Sequence, residues 1–201
     1  MSLLVGLTGG MGSGKTLAAS FFKELGAHII DADVVCRELV RPGQPAWREI
    51  MEGFGEETLS ADRTIDREKL AEIVFNDKSK KETLEKILHP RVFDEEQRVY
   101  EEIRKNEPDA LVVIDAALLI ESGNFERMDK VIVVRCDEET QIRRVMDRSS
   151  LSREDVQKRI RGQMSLEEKI RKADYVLENN SSMEDLRAES RKLFLQLKAA
   201  A

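Results

Sequence analysis

The stretch GLTGGMGSGKT, from Gly6 to Thr16, constrains the fold more than any other part of the chain. An apolar run, Leu3 to Leu7, precedes the glycines and reads as a short buried strand, and Lys15 to Phe22 follows them and reads as a helix. Gly9, Gly10, Gly12 and Gly14 permit backbone angles that side chains forbid, so successive peptide N–H groups can turn toward one anion. At a helix N-terminus, where peptide dipoles leave partial positive charge, such a concavity is a phosphate site. Gly9-x-x-x-x-Gly14-Lys15-Thr16 matches G-x-x-x-x-G-K-[ST] in full, and it lies between a strand and a helix, as that pattern requires. Gly9, Gly10, Met11, Gly12, Ser13, Gly14, Lys15 and Thr16 are therefore the candidate nucleotide-phosphate residues. Lys15 is expected to reach the β/γ-phosphates and the Thr16 hydroxyl to ligate Mg²⁺.

Strand-length apolar runs recur at Leu3–Leu7, Ala27–Ile30, Leu111–Ile114, Val131–Val134 and Tyr175–Leu177, separated by longer segments of helical period. Strands alternating with helices predict a parallel sheet with helices on both faces, a three-layer α/β core. The gap between the second and third strands is too long for a simple crossover, which needs about a dozen residues. It contains REKLAEIVF and SKKETLEKIL, both of helical period, so residues 34–109 read as a helical subdomain inserted into a core of residues 1–33 and 110–201. Pro90 is expected to break or kink a helix there and Pro108 to end the last one. Trp47, Phe54, Phe75 and Phe93 are expected to form that subdomain's small core. Ser152-x-x-Asp155, Ser165-x-x-Glu168 and Ser182-x-x-Asp185 each have the form of a capping box and predict three helix starts.

The formal net charge of −6 over 201 residues argues against a nucleic-acid surface, so an anionic ligand must be met by local positive charge. The longest apolar runs are strand-sized and soon interrupted by charge; neither a leader nor a membrane span is expected, and a cytoplasmic location is the default. Cys36 and Cys136 are far apart and belong to no C-x-x-C or Cys/His pattern, so they read as buried small hydrophobes or inert thiols.

Asp31 and Asp33 fall where the second strand should end, and in an extended backbone they would point to one side. Asp33 has two readings that spacing does not separate. It could accept a proton from an attacking hydroxyl or hold Mg²⁺ through water, or it could N-cap a helix beginning at Val34. LVVID ends in Asp115, the place for a carboxylate near Mg²⁺. Among the many cations of 135–172, mostly expected on solvated faces, Arg144 and Arg148 form an i, i+4 pair suited to closing over phosphates. His89, before Pro90, reads more readily as a cap or a packed side chain than as a catalyst.

The ordered set GLTGGMGSGKT, DADVVCREL, IDREKLAEIVF, ILHPRV, DAALLIESG, QIRRVMDR, SREDVQKRIRGQM and EEKIRKADYVLEN resembles the dephospho-CoA kinase family over nearly the whole length. The resemblance implies a P-loop kinase core with a parallel five-stranded sheet, an inserted acceptor-binding subdomain and a helical lid at 137–172. Its substrates would be ATP and dephospho-CoA, and its partners would include neither nucleic acid nor membrane; a monomer or small homo-oligomer is expected. On the matching positions, Asp33 would be the base for the ribose 3′-hydroxyl, and Lys15 with the loop amides would hold ATP. Thr16 and Asp115 would hold Mg²⁺, directly or through water, and Arg144 and Arg148 would be lid arginines. Arg37, Arg67, His89 and Leu118 would lie at the acceptor site. The chain departs from the family's usual DVPLLFE at Ala117 and Ile120, and from its usual isoleucine at Met11. A nucleoside monophosphate or shikimate kinase is the nearer rival, a P-loop ATPase the more distant one. The chain lacks the N-K-x-D and D-x-x-G of GTPases.

Overall fold

The computed structural model describes residues 1–200. In chain order the elements are β1 (Leu3–Gly9), α1 (Lys15–Glu24), β2 (His28–Asp31), α2 (Ala32–Leu39), α3 (Pro45–Phe54), α4 (Arg67–Asn76) and α5 (Lys78–Asn106). There follow β3 (Leu111–Asp115), β4 (Lys130–Arg135), α6 (Glu138–Arg148), α7 (Arg153–Arg161), α8 (Leu166–Arg171), β5 (Tyr175–Glu178) and α9 (Met183–Ala200). All five strands pair in parallel, in the order β2-β3-β1-β4-β5. The three-layer α/β expectation is met, and each strand falls within two residues of the apolar run that predicted it.

Parallel strands are covered on both faces, which is why they read as continuous apolar runs. One face of this sheet sends Val5, Leu7, Leu111, Val113, Ile132 and Val134 into a core shared with Phe21 and Phe22 of α1 and Leu186, Leu193 and Leu197 of α9. The alternate residues Val112, Ile114, Val131 and Val133 are equally buried. The register sets Asp31 opposite Asp115, and Asp115 opposite Leu7, so the carboxyl ends of β2, β3 and β1 lie side by side. Ligands of open α/β sheets bind beyond such ends.

The chain divides into two compact units, Met1–Asp31 with the chain from Tyr100 onward, and Ala32–Val99. The division falls at 31/32, where α2 begins directly after β2, and at 99/100, within α5; 33/34 and 109/110 were expected. The second unit has its own core of Ala46, Ile50, Phe54, Leu70 and Ile87. Trp47 is also buried, its indole N–H donating to the Arg63 carbonyl at 2.8 Å. Phe75, expected in this core, is 69% exposed, since α4 turns Leu70, Ile73 and Val74 inward instead.

Pro90 lies inside α5 and does not break it, the first of the two effects expected of it. The ring removes one N–H donor from the helix. In the adjacent turn the Arg91 guanidinium donates to the Ile87 carbonyl at 2.6 Å and pairs with Glu49 at 2.5 Å, holding the helix through the proline. The three serine starts are observed as read. Ser152 caps α7, Ser165 and Glu168 form a reciprocal capping box on α8, and Ser182 and Asp185 exchange bonds at the start of α9.

Candidate active site

Gly12 and Gly14 adopt φ of 77° and 91°, angles that L side chains rarely take, and they turn the loop between β1 and α1 back on itself. A Cβ on Gly14 would also run into the side-chain amide of Asn179. Around these glycines the loop is pinned from several directions. The Ser13 N–H donates to the Gly10 carbonyl at 3.0 Å, the Asn179 side-chain amide donates to the Ser13 carbonyl at 2.7 Å, and the Met11 N–H donates to Gln163 Oε1 at 3.2 Å. Gln141, buried beside Gly10, donates to the Cys136 carbonyl at 3.2 Å. The amides of Gly12, Gly14, Lys15 and Thr16 find no acceptor within the described chain. No acidic residue occupies the first turn of α1. Unpaired amides at the positive end of a helix dipole make an anion site.

Lys15 opens α1 and pairs with Asp115 at the end of β3; their side chains are 15% and 7% exposed. Thr16 is exposed in the same helical turn. These groups share the end of the sheet with Asp31, so the cradle has a cation, a hydroxyl and carboxylates within one unit.

In the second unit, Asp33, Cys36 and Arg67 line a cavity of about 250 Å³ whose remaining wall includes Ile50, Leu70 and Leu88. Arg37 Nε donates to the Asp33 carbonyl at 3.1 Å. The backbone at Asp33 is helical rather than extended, and α2 already begins at Ala32. Both earlier geometric readings of this residue are thereby corrected: it does not project alongside Asp31 from a strand, and it does not N-cap a helix starting at Val34. It lies in the first turn of α2, two residues past β2. Burial pushes the Cys36 thiol above its ordinary range, Arg67 pulling it partly back. His89 is not among the side chains lining this cavity; it stacks on Phe93 with ring centroids 5.7 Å apart.

Residues 137–172 fold as α6, α7 and α8. Arg144 is half-buried, its Nη2 donating to Asn179 Oδ1 at 3.4 Å while Nη1 has no partner. Arg148 closes α6 and is exposed. Leu118, in the segment after β3, is 49% exposed. Sequence reasoning missed Asn179 and Gln163, which bond to the loop, and Lys169, which holds the segment after β3. Lys169 is wholly buried, donating to the Ala117 carbonyl at 3.0 Å and pairing with Glu121 at 2.9 Å. Asn179 carried a usable signal, because it directly follows β5 at a strand's carboxyl end.

A family model described as dephospho-CoA kinase matches residues 3–185. The chain is 44% identical over 183 residues to a dephospho-CoA kinase of Geobacter sulfurreducens, covering 91% of this chain and 92% of that one. Among solved structures it is similar to a Thermus thermophilus protein at TM-score 0.82 and 34% identity, covering 98% of each chain. It is also similar to the dephospho-CoA kinase of Campylobacter jejuni at TM-score 0.71 and 29% identity, covering 100% of this chain and 99% of that one.

Proposed function

The chain belongs to the dephospho-CoA kinase family, and from that premise we propose how its residues carry the reaction. It is a kinase that uses ATP to phosphorylate dephospho-CoA in coenzyme A biosynthesis. The acceptor atom is the ribose 3′-hydroxyl, and the products are coenzyme A and ADP. The observation that carries the assignment of roles is the set of unpartnered amides of Gly12, Gly14, Lys15 and Thr16 with the Lys15 side chain beside them.

In this reading the amides of the glycine loop hold the ATP phosphates, and Lys15 exchanges its partner Asp115 for the β/γ-phosphates. The hydroxyl oxygen of the acceptor forms a bond to the γ-phosphorus as the bond to the β-bridging oxygen breaks, and the hydroxyl proton passes to the Asp33 carboxylate. Catalysis is then mostly positioning and charge stabilisation. Arg67 and Arg37 supply positive charge near Asp33 for the anionic acceptor, with His89 and Leu118 as further acceptor contacts. Arg144 and Arg148 supply it from the 137–172 lid. Since Lys169 ties α8 to Ala117 and Glu121 holds the turn between α7 and α8, closure falls to α7 and the turn before it, and excludes water that would otherwise hydrolyse ATP.

Thr16 and Asp115 offer hard oxygen ligands that fit Mg²⁺. Among the described residues no group of three His, Cys, Asp or Glu side chains is placed to hold a metal. A divalent ion here would draw its remaining ligands from phosphates and water, as Mg²⁺ does. When bound it would neutralise charge on the β- and γ-oxygens. No helix among the described residues is long and apolar enough to cross a membrane. We take the enzyme as cytoplasmic, a monomer or small homo-oligomer, with no nucleic-acid or membrane partner.

The test is a mass-spectrometric assay of purified protein with MgATP and dephospho-CoA, with adenosine monophosphate and shikimate offered in parallel. Gain of one phosphate by dephospho-CoA alone is the expected result. Phosphorylation of another acceptor, or ATP hydrolysis without acceptor product, would overturn the assignment.

A further inference from the structure

Gln163, in the turn between α7 and α8, accepts the Met11 N–H through Oε1 at 3.2 Å. Met11 belongs to the loop whose amides cradle phosphate, so a phosphate oxygen bound on that side competes with Gln163 for the same donor. The turn that carries Gln163 is itself firmly built. The next amide, Met164 N–H, donates to Glu121 Oε1 at 3.3 Å, and that oxygen is held by the Lys169 ammonium at 2.9 Å. An ammonium as buried as that of Lys169 persists only where it is paired and hydrogen-bonded, and here the Ala117 carbonyl supplies the second contact at 3.0 Å. Gly10, Gln163 and Lys169 all line one cavity of about 490 Å³, which gives the Gln163 side chain room to leave the loop.

We propose that Gln163 is a positioning residue that stands in for a phosphate oxygen. Its side-chain carbonyl holds the Met11 N–H in place until the nucleotide claims it, and the displaced side chain then moves into the neighbouring cavity. The turn between α7 and α8 thereby registers nucleotide binding directly at the loop. This inference rests on the kinase reading only in taking ATP and ADP as ligands of the loop.

The experiment combines amide hydrogen exchange by NMR with calorimetric titration of ADP, on the wild type, Gln163→Leu and Gln163→Glu. In the wild type without nucleotide the Met11 amide is protected; exchange at the rate of a free amide would overturn the proposal without any variant being made. Gln163→Leu is expected to speed Met11 exchange at least ~10-fold, the effect of losing one hydrogen bond, while the Ser13 amide, which donates to Gly10, is unaffected. The same variant should bind ADP roughly 2–10-fold more tightly. Gln163→Glu keeps the acceptor and adds a charge facing phosphate, so ADP binding should weaken by about 10-fold or more near neutral pH and recover as the carboxylate is protonated. KM for ATP should follow the order Leu, wild type, Glu, while KM for dephospho-CoA stays within about twofold, a split that general destabilisation would not produce. Unchanged Met11 exchange and unchanged ADP affinity in Gln163→Leu would overturn the proposal. Dephospho-CoA turnover by the wild type, run alongside, tests the kinase reading separately, because the exchange and ADP measurements use no acceptor.

Discussion

The side-chain amide of Asn179 donates to the backbone carbonyl of Ser13 at 2.7 Å, joining residues 166 positions apart in the chain. Both groups are buried, and the same Asn179 side chain meets Arg144 through its oxygen. Substituting Asn179→Ala leaves the Ser13 carbonyl without its partner at the base of the phosphate loop, at a cost of about 1–3 kcal/mol. The expected outcome is a lower Tm and a several-fold higher KM for ATP, with KM for dephospho-CoA little changed. Thermal denaturation and two-substrate kinetics check both halves.

Lys15 and Asp115 are nearly enclosed together, so Lys15→Ala removes a phosphate contact and strips Asp115 of this counter-charge. ATP affinity and turnover should fall together, turnover on the order of 10²–10³, as for loss of one charge-stabilising donor. Steady-state kinetics with an ATP titration decides it, and unchanged constants would remove Lys15 from the phosphate site.

Asp33 is exposed in the first turn of α2, and its side chain lines the cavity that Arg67 and Cys36 share. If it takes the proton of the acceptor hydroxyl, Asp33→Asn lowers turnover by roughly 10²–10⁴ and leaves ATP affinity close to wild type. Turnover within a few-fold of wild type would assign the base elsewhere.

How much of this was legible in the residues depended on how local the cause was. Each strand is an apolar run closed by glycine or acid or lying next to one, and each serine cap writes its own four-residue signature, so both were readable. Asp33 was misplaced because β2 passes straight into α2, so the residue before the helix is Asp31, not Asp33. Pro90 misled because the 29-residue α5 absorbs a proline that would break a shorter helix, with Arg91 and Glu49 bracing the adjacent turn. Gln163 meets Met11, Lys169 meets Ala117 and Glu121, and Asn179 meets Ser13, partners 48 to 166 residues away, and no spacing within the chain announces such pairings.

The Lys169–Glu121 pair offers a test of burial energetics. Lys169→Met removes one partner and leaves Glu121, 21% exposed, without its cation. Breaking a buried pair this way costs about 3–5 kcal/mol, whereas replacing both partners with apolar groups is often close to neutral. Lys169→Met alone should therefore be much less stable than Lys169→Met combined with Glu121→Leu, as read by urea denaturation. Equal destabilisation of the two would mean that the lysine matters through its bond to the Ala117 carbonyl instead.

Cys36 gives a chemical reporter for the cavity in the second unit. Burial raises its pKa, Arg67 draws it down, Asp33 raises it and Arg37 draws it down, and burial is the largest of these effects. A raised pKa keeps the thiol neutral, so the fraction present as thiolate near neutral pH is smaller than for a free cysteine. Alkylation by iodoacetamide should be slow at pH 7 and accelerate only above the pH at which an unfolded-chain thiol reacts. The linked stability has the same sign: it is fully present below the unfolded thiol's pKa and is lost as pH rises through the higher folded value. Dephospho-CoA should protect Cys36 from alkylation if this cavity receives the acceptor, and Cys36→Ser identifies the labelled site by mass spectrometry. Labelling unaffected by saturating dephospho-CoA would place the acceptor away from Cys36, Arg67 and Asp33 alike.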